Sequence, residues 1–164
     1  RFFEEPVVPE DREGYRKVRA EGGIPVAGGE CEFTRFGFRD LIGGGCVDIA
    51  QPDLAAAGGF TAYREILTLA QCHGVLVVPH VWGSGVAVAA ALHAIAATPP
   101  MPHTAASVPL QNEPVVEFDR TRNPLRDDLL ETPFTLAEGA LAVPDAPGLG
   151  IRVREDVLRR FASD

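Results

Sequence analysis

The chain has 164 residues, 46% hydrophobic, 23% charged and 7% aromatic, which is enough for one sizeable core. Its net charge of −8 and pI near 5.0 leave no basic patch to neutralise phosphates, so a nucleic-acid partner is excluded. No run approaches the ~18 apolar residues of a membrane span, so no membrane partner is expected.

The opening Arg1-Phe2-Phe3 reads as the end of a strand, and with neither an initiator Met nor a signal peptide the chain is expected to be a piece of a longer one. Residues 9–20 read as a helix, opened by Pro9 and acidic Glu10-Asp11 and ended by Gly22-Gly23. Residues 24–27 are a buried strand leading into Gly28-Gly29-Glu30. A helix is predicted over 34–42, stopped by Gly43-Gly44-Gly45, and a strand over 46–50, followed by Gln51-Pro52-Asp53. Phe60, Tyr63, Ile66, Leu67 and Ala70 recur at helical spacing over 60–73. The β-branched run 75–78 is a strand covered on both faces, with Pro79-His80 after it. An Ala-rich helix spans 84–98, a Pro-rich loop 99–114, and a last short strand 115–118. Beyond it, 119–133 is polar and irregular, 134–143 is hairpin-like around Glu138-Gly139, 144–150 is turn-rich and 154–161 is a short helix. The expected division is 1–133 and 134–164.

Strands alternating with helices imply βαβ crossovers and a parallel sheet. An open doubly wound sheet and a (β/α)8 barrel both satisfy this pattern. No GxGxxG fingerprint opens a helix; Gly43-Gly44-Gly45 closes one, and Gly83-Ser84-Gly85 is too short.

An ionisable residue lies at or just after each predicted strand's carboxyl end: Glu4, Glu30, Asp53, His80 and Glu117. Each has a plain alternative, such as a helix cap for Asp53 or a structural histidine for His80. Together they place five ionisable groups on the face where parallel barrels carry their sites. Two glutamates on neighbouring strands suit Mg²⁺ or Mn²⁺, and no cysteine has useful ligand spacing. An aspartate on the intervening strand would orient the histidine, and a final glutamate would hydrogen-bond an oxyanion if protonated or remain a carboxylate. A base, a divalent cation and an oxyanion partner fit proton abstraction next to a carboxylate.

Glu4-Glu5-Pro6, Gly29-Glu30, Gln51-Pro52-Asp53, Pro79-His80, Glu117 and the Pro144-to-Gly150 turn resemble, in order and spacing, the enolase superfamily, mandelate racemase subgroup. The resemblance implies that Glu4 and Glu30 bind Mg²⁺, that Asp53 and His80 form the acid/base dyad, and that Glu117 bonds the enediolate. Glu5 then supports the ligands or is structural. It implies a modified (β/α)7β barrel whose second half, an α/β unit, is this chain, with a tail returning toward an absent α+β capping domain; a complete barrel takes ~250 residues. The third ligand and a second catalytic group, usually a lysine, lie upstream of Glu4 in the family. The phrases around these residues resemble the acid-sugar enzymes of the subgroup, which implies β-elimination from an acid sugar or opening of an aldarolactone to a keto-deoxy acid. Acid-sugar dehydration, α-carbon racemisation or epimerisation, and a non-catalytic half-barrel for binding or assembly are the alternatives. A homo-oligomer acting on a small acid-sugar substrate is expected.

Trp82 lines the pocket or packs at the barrel rim. Cys72-His73 and His93 read as structural or helix-surface residues, and His103 as a solvent-exposed loop residue. Arg35 and Arg39 salt-bridge or meet a substrate carboxylate. Glu32 partners Glu30 or is exposed. With Cys31, Cys46 and Cys72 forming no CxxC, a reducing cytoplasm is expected.

Overall fold

The computed structural model describes residues 1–100 and 112–162; His103 and most of the Pro-rich stretch lie outside them. The strands are β1 (Phe3–Glu4), β2 (Val26–Gly28), β3 (Ile49–Ala50) and β4 (Leu76–Val77). The helices are α1 (Arg12–Glu21), α2 (Thr34–Gly43), α3 (Leu54–Ala57), α4 (Gly59–Cys72), α5 (Gly85–Ala97), α6 (Pro124–Asp127) and α7 (Glu155–Phe161). All four strands are parallel and lie in chain order, with Glu4 beside Ala27, Gly28 beside Ala50, and Ala50 beside Val77.

The two faces of the sheet differ completely. Val26, Ala50 and Val77 face the helices and share one buried cluster with Tyr15 of α1, Phe38 of α2, Ile66 of α4 and Ala94 of α5. Ala27, Ile49, Leu76 and Val78 alternate to the other face, where, among the described residues, Phe2 and Val115 join them. Sequential strand order and helices on one face are the geometry of a barrel wall, whereas a doubly wound sheet reverses its order and carries helices on both faces. The chain is therefore part of a β/α barrel. Its inner face bears an apolar groove of about 280 Å³ lined by Phe2, Ile49, Leu76, Val78 and Val115.

Several boundaries differ from the sequence reading. The first helix begins at Arg12 because Asp11, not Pro9, caps it: its carboxylate accepts the Gly14 N–H at 2.8 Å. The strand expected over 115–118 makes no ladder, so the sheet among the described residues has four strands. The Val77 N–H is instead taken by the Asn112 side chain at 2.9 Å, and Pro114 offers no N–H in exchange. Val116 and Phe118 turn toward α5, packing with Val88 and Leu92, and Phe134 and Leu141 join that cluster. The Glu138-Gly139 turn has both central residues at positive φ, 49° and 80°, as a type I′ turn requires, and joins Ala137 to Ala140 by a single antiparallel bridge. No helix among the described residues is long and apolar enough to cross a membrane.

Candidate functional site

The alternation that sends Phe2 to the inner face sends Glu4 there too, while Glu5, past the end of β1, lies beside Glu30 and Cys31. Glu5 has a φ of 40°, uncommon for a residue other than glycine. Its Oε1 is buried without a hydrogen-bond partner. Burial, then the Glu30 and Glu4 carboxylates, push the Glu5 carboxyl above the usual carboxylate range.

Glu30 follows a turn that only glycine makes comfortably. Gly29 has a φ of 129°, and a Cβ there would lie 2.8 Å from the Phe38 ring. The turn sets Glu30 next to Glu5 and Cys31: these three offer ligand atoms within 4.8 Å of one another. Glu32 is not part of this group, since its carboxylate is held by Arg12.

Asp53 answers both readings of it at once. One carboxylate oxygen caps α3 by accepting the Ala55 N–H at 2.7 Å. The other lies 2.9 Å from His80 Nδ1. A carboxylate there fixes the proton on Nδ1 and leaves Nε2 as the basic nitrogen of the neutral ring. Nε2 faces Glu30, 3.4 Å from its Oε2. The structure thus brings His80, Asp53 and Glu30 together directly.

Glu4 and Glu117 meet through a residue to which the sequence reading gave no role. Gln51, 1% exposed, donates from Nε2 to Glu4 Oε1 at 3.0 Å and to Glu117 Oε1 at 2.8 Å. Its signal was its register: the period that puts Ile49 inside puts Gln51 inside as well. Glu117 also accepts the Val81 N–H, while burial and then the Glu4 carboxylate push its carboxyl up.

Trp82 is 70% exposed. Its indole N–H donates to Asp119 at 3.1 Å. Arg126, buried, donates to the carbonyls of Asp119 and Thr121 and closes this loop. The Thr121 hydroxyl and N–H hold the Asp119 carboxyl down at about 2. Elsewhere, Arg35 pairs with Glu65 and Arg39 with Asp40. His93 is half-buried rather than on the helix surface, because the chain returns across α5 and places the Leu149 carbonyl 3.2 Å from its Nε2. Cys31, Cys46 and Cys72 are all free thiols.

Comparison with known proteins agrees with this geometry. Residues 1–157 match the family described as Enolase C-terminal domain-like. The chain is 49% identical over 160 residues to the D-galactarolactone cycloisomerase of Agrobacterium fabrum, covering 98% of this chain and 41% of that protein. It is 33% identical to a D-galactonate dehydratase of Xanthomonas oryzae pv. oryzae, covering 97% of this chain and 40% of that one. The crystal structure of the 3,6-anhydro-D-galactonate cycloisomerase of Zobellia galactanivorans superposes with a TM-score of 0.82 at 44% identity, covering 99% of this chain and 43% of that one. The chain thus spans about two fifths of the length of the relatives it matches. It belongs to the Enolase C-terminal domain-like family, in the mandelate racemase subgroup of the enolase superfamily.

Proposed function

We propose that the complete protein carrying this chain removes the proton α to a carboxylate of an acid sugar or aldarolactone and then expels a β-oxygen. The observation that carries this reading is the His80–Asp53 pair, 2.9 Å apart beyond the ends of β3 and β4. His80 Nε2 takes the proton, and Asp53 compensates the imidazolium that forms. The electron pair of the C–H bond becomes a Cα–Cβ double bond as the β C–O bond breaks, its pair leaving on oxygen. In a lactone that oxygen becomes a carboxylate, and the remaining enol takes a proton to give the 3-deoxy-2-keto acid. Glu117, whose carboxyl burial pushes up, is suited to donate a hydrogen bond to the developing oxyanion.

Glu4 and Glu30 would hold a Mg²⁺ or Mn²⁺ ion. Carboxylate oxygens suit such a hard cation, although the ligand atoms grouped within 4.8 Å around Glu30 belong to Glu5 and Cys31 and not to Glu4; desolvation and the carboxylates of Glu5 and Glu30 push the Cys31 thiol up, and a protonated thiol is a poor ligand. Bound there, the cation supplies positive charge opposite the charge that grows on the substrate carboxylate. The reading extends to the tail: residues 134–164 face a capping domain outside this chain.

The identity to a cycloisomerase supports ring opening of an aldarolactone. Dehydration of an open-chain acid sugar is the second reading, favoured by the 33% identity to a D-galactonate dehydratase. A panel of aldarolactones, aldaric and aldonic acids, assayed with Mg²⁺ in D₂O, separates the two. The expected result is a keto-deoxy acid, lost in EDTA, with α-proton exchange abolished in a folded His80→Asn variant. Turnover that survives chelation, or exchange that survives His80→Asn, contradicts the proposal.

A further inference from the structure

We infer that Gln51 is a positioning residue that clamps the metal-side carboxylate Glu4 to the substrate-side carboxyl Glu117. This rests on the roles proposed above for those two glutamates.

Gln51 is fully buried, yet its amide reaches two acidic side chains contributed by segments far apart in the chain. A side-chain amide has two N–H groups, and here one goes to each carboxyl. The opposite orientation would aim the amide oxygen at both acidic groups, so the chemistry fixes the direction. Its position on the backbone is equally constrained. The Gln51 N–H donates to the Gly28 carbonyl at 3.0 Å, continuing the β2–β3 ladder beyond its last paired residues. Pro52, also buried, follows, and Asp53 is held by its cap on α3. The side chain therefore stands on rigid backbone at both ends.

The same three residues, Gln51 to Asp53, thus set three other side chains. Asp53 fixes the ring of His80, and Gln51 fixes Glu4 relative to Glu117. Glu4 has no other side-chain partner among the described residues, so without the amide it faces Glu117 with only repulsion between them when both are ionised. Residues that orient ligands and reacting groups in this way change affinity or activity by about 10–100-fold when removed.

The test uses the complete protein and Gln51→Leu, similar in volume but without N–H groups. Titrating the metal-free protein with Mg²⁺ alone should show a Kd raised about 10-fold or more. With substrate, kcat should fall about 10–100-fold while KM moves much less, because the clamp orders groups that act in the transition state. A double-mutant cycle with Glu117→Leu, which has no acceptor for the Gln51 N–H, read as unfolding of the metal-free protein in urea, should be non-additive. If Gln51→Leu does not fold, Gln51→Asn replaces it: its amide is one methylene too short to meet both carboxyls, and the same losses are expected. Unchanged Mg²⁺ affinity and kcat in a folded variant overturn the clamp, as do additive effects in the cycle. If the parent protein binds no Mg²⁺ and converts no acid sugar, the functional reading has failed, and the clamp is decided by the cycle alone.

Discussion

Asp53 does two jobs with two oxygens, and substitutions can separate them. In Asp53→Asn the side-chain oxygen must still face the Ala55 N–H, 2.7 Å away, because the amide nitrogen cannot accept it. The NH₂ group then faces His80 Nδ1, the position held by a carboxylate oxygen at 2.9 Å in the parent. Nδ1 must become the acceptor, the ring proton moves to Nε2, and the nitrogen facing Glu30 can no longer act as a base. The cap survives, since asparagine caps as well as aspartate, so stability should change little. The rate of α-proton exchange should fall on the order of 10²–10⁴-fold. Asp53→Ser keeps a capping oxygen but is too short for the histidine, and Asp53→Ala loses both contacts. Between Ser and Ala, urea unfolding should show about 1 kcal/mol, the worth of the cap alone. Exchange into the substrate α-position, followed by NMR in D₂O, measures the other function. A folded Asp53→Asn variant that exchanges within about threefold of the parent, against the 10²-fold floor expected, would refute the tautomer argument.

Glu117→Gln tests the raised carboxyl. Its folded-state value lies above the ordinary 4.5, so the unfolded chain ionises first and stability is lost as pH rises through that interval. The glutamine variant should match the parent below pH 4.5 and gain on it above, in urea melts across that range. Gly29→Ala combines a φ of 129° with a 2.8 Å approach to Phe38; a loss of about 1–3 kcal/mol is expected, seen as a lower urea midpoint at unchanged m.

What the sequence made legible was governed by local periodicity. Helices α2, α4 and α5 fall within a residue or two of their expected bounds: α4 carries several turns of apolar spacing, Gly43-Gly44-Gly45 stops α2, and α5 is an unbroken Ala-rich run. Helices α3 and α6 are single turns of four residues, too short to show a period; Asp53 caps the first and Asn123 the second. The His80–Asp53 contact was readable because histidine and aspartate just beyond strand ends are chemically conspicuous. Gln51 was readable only as an inward-facing position, since the role of a buried amide shows once two distant carboxyls are seen around it. His93 failed for the same reason: its partner, the Leu149 carbonyl, comes from a segment that no local pattern ties to α5.

The loop closed by Arg126 separates two kinds of change. Arg126 collects the Asp119 and Thr121 carbonyls, and Trp82 hangs from the Asp119 carboxylate, yet none of these bonds involves His80, Asp53 or Gln51. The His80–Asp53 and Gln51 contacts are anchored at the sheet, whereas the 119–127 loop is pinned by Arg126 and by the Asn123 amide, which donates to the Gly83 carbonyl at 3.1 Å. Exchanging residues along 119–127 should therefore leave the His80–Asp53 and Gln51 contacts in register, provided that Arg126 and Asn123 are kept.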